Sequence, residues 1–120
     1  MSAEGPWDIV ERYHQAWKSH DFEAARGLLH DDLEFRGPFD TFDNADDYVA
    51  AIRRLAPIVE DARLQKTFAD GDDVCLLYDM VTATPAGTQP IAEWYRVRGD
   101  RIGAIRAYFD SAPFAALRGA

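Results

Sequence analysis

The chain changes its rhythm near residue 62. Before that point apolar residues recur at helical spacing. After it they alternate with polar ones, the period of a strand covered on one face. Pro6 suits a first helical position, and Ile9, Val10, Tyr13, Ala16 and Trp17 form one stripe behind it. Asp21 can cap a short second helix with Phe22, Ala25, Leu28 and Leu29 on its apolar side. Leu33-Glu34-Phe35-Arg36 alternates as a strand and stops at Gly37-Pro38. Asn44 caps a third helix whose stripe is Tyr48, Val49, Ile52, Leu55 and Ala56, ended by Pro57. Four strands then follow over 62–69, 74–84, 90–98 and 101–110, with hairpin turns at Asp70-Gly71-Asp72-Asp73 and Gly99-Asp100. Thr84–Gly87 reads as a longer turn and Ala112–Leu117 as one helical turn. Segregated helices followed by an antiparallel meander define an α+β domain.

The 120 residues suffice for a single domain, 1–120, and are too few for two ordinary ones. The apolar fraction of 48% supports a core, and 12% aromatics suit a lined cavity. A formal charge of −8 argues against a nucleic-acid groove or an anionic membrane surface, so no nucleic-acid and no membrane partner is expected. No apolar run approaches the roughly 20 residues of a membrane helix. The N-terminus lacks the pattern of a signal peptide, and a cytoplasmic protein is the expectation. Cys75 is the sole cysteine, so no internal disulfide is possible. It lies in an apolar run and reads as a core residue.

Two carboxylates break the alternation. Glu93 shares its strand face with Ile91, Tyr95 and Val97. A carboxylate on a core-facing surface costs several kcal/mol unless neutralised or hydrogen-bonded. Either the face points inward and Glu93 marks a polar pocket, or the strand is turned so that Trp94 is inside and Glu93 meets water. Asp79 interrupts a strand that is apolar on both faces, between Tyr78 and Met80. It is a pocket acid or base, or else a structural partner for an arginine such as Arg106, or a residue at a dimer edge. Tyr13 and Trp17 lie four apart on the first helix, and a tyrosine facing a cavity needs a partner for its hydroxyl. His14 borders that stripe and is placed to reach a cavity, whereas His20 and His30 sit at element ends and read as surface residues. The histidine spacing matches no metal motif, and there is no phosphate loop or serine elbow.

The order of elements resembles the nuclear transport factor 2-like fold, in particular its SnoaL-like branch, whose relatives include polyketide cyclases, ketosteroid isomerase and limonene epoxide hydrolase. The segments that carry the likeness are Trp17-Lys18-Ser19-His20-Asp21, Leu29-His30-Asp31-Asp32-Leu33, Thr84-Pro85-Ala86-Gly87 and the closing run from Arg101 to Asp110. The resemblance implies a cone-shaped α+β barrel, three helices packed on a curved, mainly antiparallel sheet that encloses a pocket. It implies that Asp79 and Glu93 face inward, and that Trp17, Phe35, Val81, Ile91 and Phe109 line the pocket. Tyr13 and Glu93 match the oxyanion-hole tyrosine and neutral acid of ketosteroid isomerase, but the general base of that enzyme falls at Gly37. Limonene epoxide hydrolase matches only at Asp79; its other roles fall at Ala107, Leu77, Phe35 and Gly37, which cannot perform them. The resemblance thus implies a hydrophobic small-molecule ligand and cofactor-free proton transfer on a carbonyl compound, as in an isomerase or cyclase. Glu93 and Tyr13 would hold the oxygen, and Asp79 or His14 would move the proton. The alternative is a non-catalytic binding or dimerisation module. No metal and no cofactor are expected. A homodimer through the sheet face is implied, with Trp94, Arg96 and Arg106 as candidates for the contact.

Overall fold

The computed structural model describes residues 5–118, with side chains as far as Ala115. Its elements are α1 (Pro6–Lys18), α2 (Phe22–Gly27), β1 (Leu29–Arg36), β2 (Thr41–Phe42), α3 (Ala45–Leu55), a 3-10 turn (Ala56–Ile58), β3 (Val59–Asp70), β4 (Asp73–Thr82), β5 (Thr88–Arg98), β6 (Arg101–Tyr108) and α4 (Ala112–Arg118). The caps are those the sequence proposes. Asp21 accepts from the Ala24 amide at 3.1 Å, and Asn44 accepts from the Asp47 amide at 2.8 Å. Asp8 reaches back to the Gly5 amide at 3.1 Å and opens α1. The tail helix begins at Ala112 as expected, and the side chains of residues 116–118 are outside the described ones.

The strands form one six-stranded sheet in the order β2-β1-β6-β5-β4-β3. Every pairing is antiparallel except β1 with β6, which is parallel. Gly71 and Gly99 open the two-residue hairpin turns at φ 60° and 69°, a conformation that glycine enters without steric cost. Register shifts interrupt β3 twice and β5 once. Such bulges bend a strand and raise its twist, which curves the sheet. It does not close: β2 and β3 stay as edges at opposite ends, so the expected barrel is an open, curved sheet. The two-residue β2 is too short to show a period and was not expected from the sequence.

Burial alternates strictly along β4, with Val74, Leu76, Tyr78, Met80 and Thr82 inside. On β5 the inner residues are Ile91, Glu93, Tyr95 and Val97. Cross-strand register joins the two sets, Leu76 opposite Glu93 and Tyr78 opposite Ile91. α1 covers this face with Ile9, Val10, Tyr13, His14 and Ala16, and α3 covers it with Ala45, Tyr48 and Val49. Cys75 is a correction. It lies on the outer face opposite Trp94 and is only half-buried, because its neighbours Val74 and Leu76 hold the inner positions.

Candidate functional site

Between the helices and the concave face of the sheet lies a cavity of about 510 Å³. Its inner lining is buried: Tyr13, Tyr48, Tyr78, Ile91 and Glu93 are each at most 9% exposed. Trp17, Phe35 and Phe109 add half-buried aromatic wall. The exposed lining residues, His20, Pro38, Asp40 and Arg54, mark the opening. The volume lies in the range of small-molecule sites.

Glu93 projects from the middle of β5 into this space. The Tyr95 hydroxyl, from behind it on the same strand face, donates to Glu93 Oε1. Burial raises the Glu93 pKa above the usual carboxylate range, and the Tyr95 and Tyr78 hydroxyls oppose that rise without cancelling it. Desolvation therefore wins, and the side chain is biased towards the neutral acid. On the helical side, the Tyr13 and Tyr48 hydroxyls share a hydrogen bond of 2.6 Å. Burial, and then the charge each would feel from its neighbours, raises the pKa of Tyr13 well above the ordinary phenol value. Both phenols stay protonated. Whichever of the pair donates to the other, one O–H remains for the cavity. In its protonated form, which the raised pKa favours, Glu93 adds a second O–H. The inner end thus offers neutral donors within an apolar wall, an arrangement suited to a carbonyl oxygen on which charge develops.

The sequence-derived candidates separate into three groups. Tyr13, Glu93, Trp17, Phe35, Ile91 and Phe109 all line the cavity. His14 is buried at 3% exposure but stands behind the wall, edge-on to Trp17 at 5.3 Å and to Tyr78 at 5.0 Å between ring centroids. Asp79 and Val81 are corrections. They project to the outer face, since strand parity puts them opposite in sense to Tyr78 and Met80. Asp79 there accepts from Gln65 Nε2 at 3.2 Å, and Arg106 lies over the Trp94 ring at 5.6 Å, where it makes a cation–π contact. The convergence expected of Tyr13, Asp79 and Glu93 therefore reduces to Tyr13 and Glu93. Tyr48, Tyr78 and Tyr95 complete the cluster. All three were legible only as apolar-stripe residues, because a tyrosine in a stripe looks like core until its hydroxyl has an address.

Gly37 also lines the cavity. A Cβ at that position would meet Phe35 Cε2 and Cζ at 3.0 and 3.1 Å. The Phe35 ring, stacked on Tyr48 at 4.8 Å, occupies the space into which a side chain at 37 would grow. The following residues fold back, the Gly37 amide donating to the Asp40 carbonyl at 3.0 Å. Phe39 packs against Phe109 and Phe114 at 6.2 and 6.4 Å, which anchors this loop and sets Asp40 at the opening. Apart from Glu93, Asp40 is the carboxylate residue among the described cavity lining. No cluster of three or more metal-ligating side chains occurs among the described residues, and no described helix is long and apolar enough to cross a membrane.

Known structures share this architecture. A protein from Kribbella flavida superposes with a TM-score of 0.85 at 29% identity, over 93% of this chain and 92% of that one. An NTF2-like protein of unknown function from Cytophaga hutchinsonii gives 0.83 at 24% identity, over 96% and 99% of the two chains. An LEH-like epoxide hydrolase of M. tuberculosis gives 0.78 at 22%, over 95% and 90%. At such identities the last two likenesses concern the fold alone. No curated protein matches the chain significantly. The model of the SnoaL-like domain matches residues 10–105, which take in every lining residue of the cavity except Ala107, Phe109 and Phe114, and the chain therefore belongs to the SnoaL-like family.

Proposed function

We propose that the cavity binds a hydrophobic carbonyl compound and catalyses cofactor-free proton transfer on it, the chemistry of an isomerase or a cyclase. One observation carries this reading: a glutamic acid biased to its neutral form lines an apolar cavity beside tyrosines that stay protonated. The ligand's carbonyl oxygen sits against Glu93 and the free hydroxyl of the Tyr13–Tyr48 pair. A base removes a proton from the carbon next to the carbonyl, and the bonding pair moves onto that oxygen as an enolate. Return of the proton at another carbon, or attack of the enolate on a second carbonyl, completes isomerisation or aldol-type cyclisation. Donors fixed at such an oxygen contribute on the order of 3 kcal/mol each. Asp40 is the carboxylate available as proton acceptor, and a positioned base contributes about 10²–10⁴ in rate. Trp17, Phe35, Ile91 and Phe109 exclude water from the reacting carbon.

The test uses β-tetralone, a compact hydrophobic ketone, in deuterated water. Binding by calorimetry and faster exchange of its acidic protons by NMR than in buffer are expected. Glu93→Leu should remove most of the acceleration. Failure of the ketone to bind overturns the reading. Binding without exchange leaves a non-catalytic ligand-binding module, the second reading, which the glycine at 37 and the outward turn of Asp79 favour. We also propose that two copies pair through the outer sheet face, where Phe68, Trp94 and Tyr108 are exposed.

A further inference from the structure

His14 holds buried side-chain polar atoms that lack a hydrogen-bond partner, and among the described residues it is alone in this. Both Nδ1 and Nε2 are unpaired, although the residue is only 3% exposed. Burial, and then the nearby Lys18 charge, lowers its pKa from 6.5 to about 4, so at neutral pH the ring carries one N–H donor and one lone-pair acceptor. An orphaned buried polar group costs about 1–3 kcal/mol, and a native fold that retains one calls for an explanation. The position supplies it. His14 contacts Trp17 and Tyr78, and both of those side chains line the cavity. The imidazole is one side chain away from the ligand space.

The two neighbours differ in how they are held. Tyr78 is 2% exposed and its hydroxyl acts on Glu93. Trp17 is half-buried, in the last turn of α1, and its indole N–H makes no hydrogen bond among the described residues. Rotation of Trp17 breaks ring contacts but no hydrogen bond. His14 and Trp17 are three apart on the helix and share a side, so the indole covers the imidazole.

We propose that His14 is a second polar anchor of the cavity, uncovered when Trp17 swings aside, and that the ligand therefore carries a second neutral oxygen, a hydroxyl or carbonyl, besides the one at Glu93. This rests on the reading of the cavity as a carbonyl site and narrows its substrate class to dioxygenated molecules. A neutral imidazole suits such a group because it can donate or accept. It has no charge with which to hold a carboxylate.

The experiment measures affinities of β-tetralone and its ring-hydroxylated isomers by calorimetry. For wild type, at least one isomer should bind about tenfold more tightly than the parent ketone, the worth of one good neutral hydrogen bond. In His14→Phe that ratio should fall to about one. In Trp17→Ala, which leaves His14 open, the preference should persist. The histidine ring nitrogens of wild type should shift in the nitrogen NMR spectrum with the preferred isomer and not with the parent. A wild type without preference among the isomers, or a ratio unchanged in His14→Phe, overturns the inference while leaving the carbonyl site standing. Loss of preference in Trp17→Ala overturns the covering role of the indole. If no ketone binds at all, the carbonyl site falls and this inference with it.

Discussion

β4 and β5 each carry one acidic residue in mid-strand, and the two faces of the sheet treat it oppositely. Glu93 lies inside, 9% exposed, with a tyrosine donating to it and its pKa raised. Asp79 lies outside, held by one glutamine at 3.2 Å. Neighbouring aromatics divide the same way. Tyr95 is fully buried, whereas the adjacent Trp94 is 38% exposed and reaches Asp73 at 2.9 Å through its indole nitrogen. A carboxylate on the wet face is an ordinary surface group. On the covered face its protonation becomes part of the fold.

The largest test of this contrast compares the two aromatics. Tyr95→Ala should cost about 3–5 kcal/mol in urea unfolding, and the protein would be left close to unfolding. Trp94→Ala should cost far less in the monomer. If the two costs are similar, the outer face is structural. The sharper use of Trp94 is Trp94→Glu, which should lower the sedimenting mass if the outer face pairs two copies.

The next two tests use pH, and their signs oppose. His14 in the folded chain gains its proton only near pH 4, while the unfolded chain gains it near 6.5. The unfolded state binds more protons across that window, so stability falls as pH drops from 6.5 to 4, by on the order of 3 kcal/mol. His14→Phe should remove that loss. Glu93 behaves inversely. Its folded pKa lies above the ordinary 4.5 of a glutamic acid, so its contribution is greatest below 4.5 and is lost as pH rises through the raised value. Glu93→Gln should remove this second slope, which amounts to about 1.4 kcal/mol for every tenfold difference in proton affinity between the folded and unfolded chains. The two slopes partly cancel in wild type, and the single variants expose them. Asp79→Asn, the smallest change, should alter stability by less than about 0.5 kcal/mol in urea unfolding. A larger effect there would break the contrast between the faces.

Much of this was legible in the sequence, for identifiable reasons. The caps at Asp21 and Asn44 and the turns at Gly71 and Gly99 are local chemistry, which the chain displays directly. Glu93 could be grouped with Ile91, Tyr95 and Val97 because alternation fixes which residues share a face. Alternation does not say which face is covered. On β4 both faces are apolar, so Asp79 and Val81 carried no mark of their side, and analogy turned them inward. The register of β4 against β5 decides it, and register is a property of pairing rather than of one strand. The tyrosine cluster was hidden for another reason. Tyr13, Tyr48, Tyr78 and Tyr95 come from two helices and two strands, and only the packed chain sets the hydroxyls of Tyr78 and Tyr95 on one carboxyl and pairs those of Tyr13 and Tyr48.

Gly37 has a historical consequence. Because the Phe35 ring lies 3.0 Å from where a Cβ would stand, an acid cannot be gained at 37 by one substitution without displacing that ring. A lineage that moved between this cavity and one with a carboxylate there had to shift the Phe35 ring by a few tenths of an ångström, which a smaller residue at 35 makes easier. The order of mutations is biased by sterics two residues away, so positions 35 and 37 should vary as a pair among relatives.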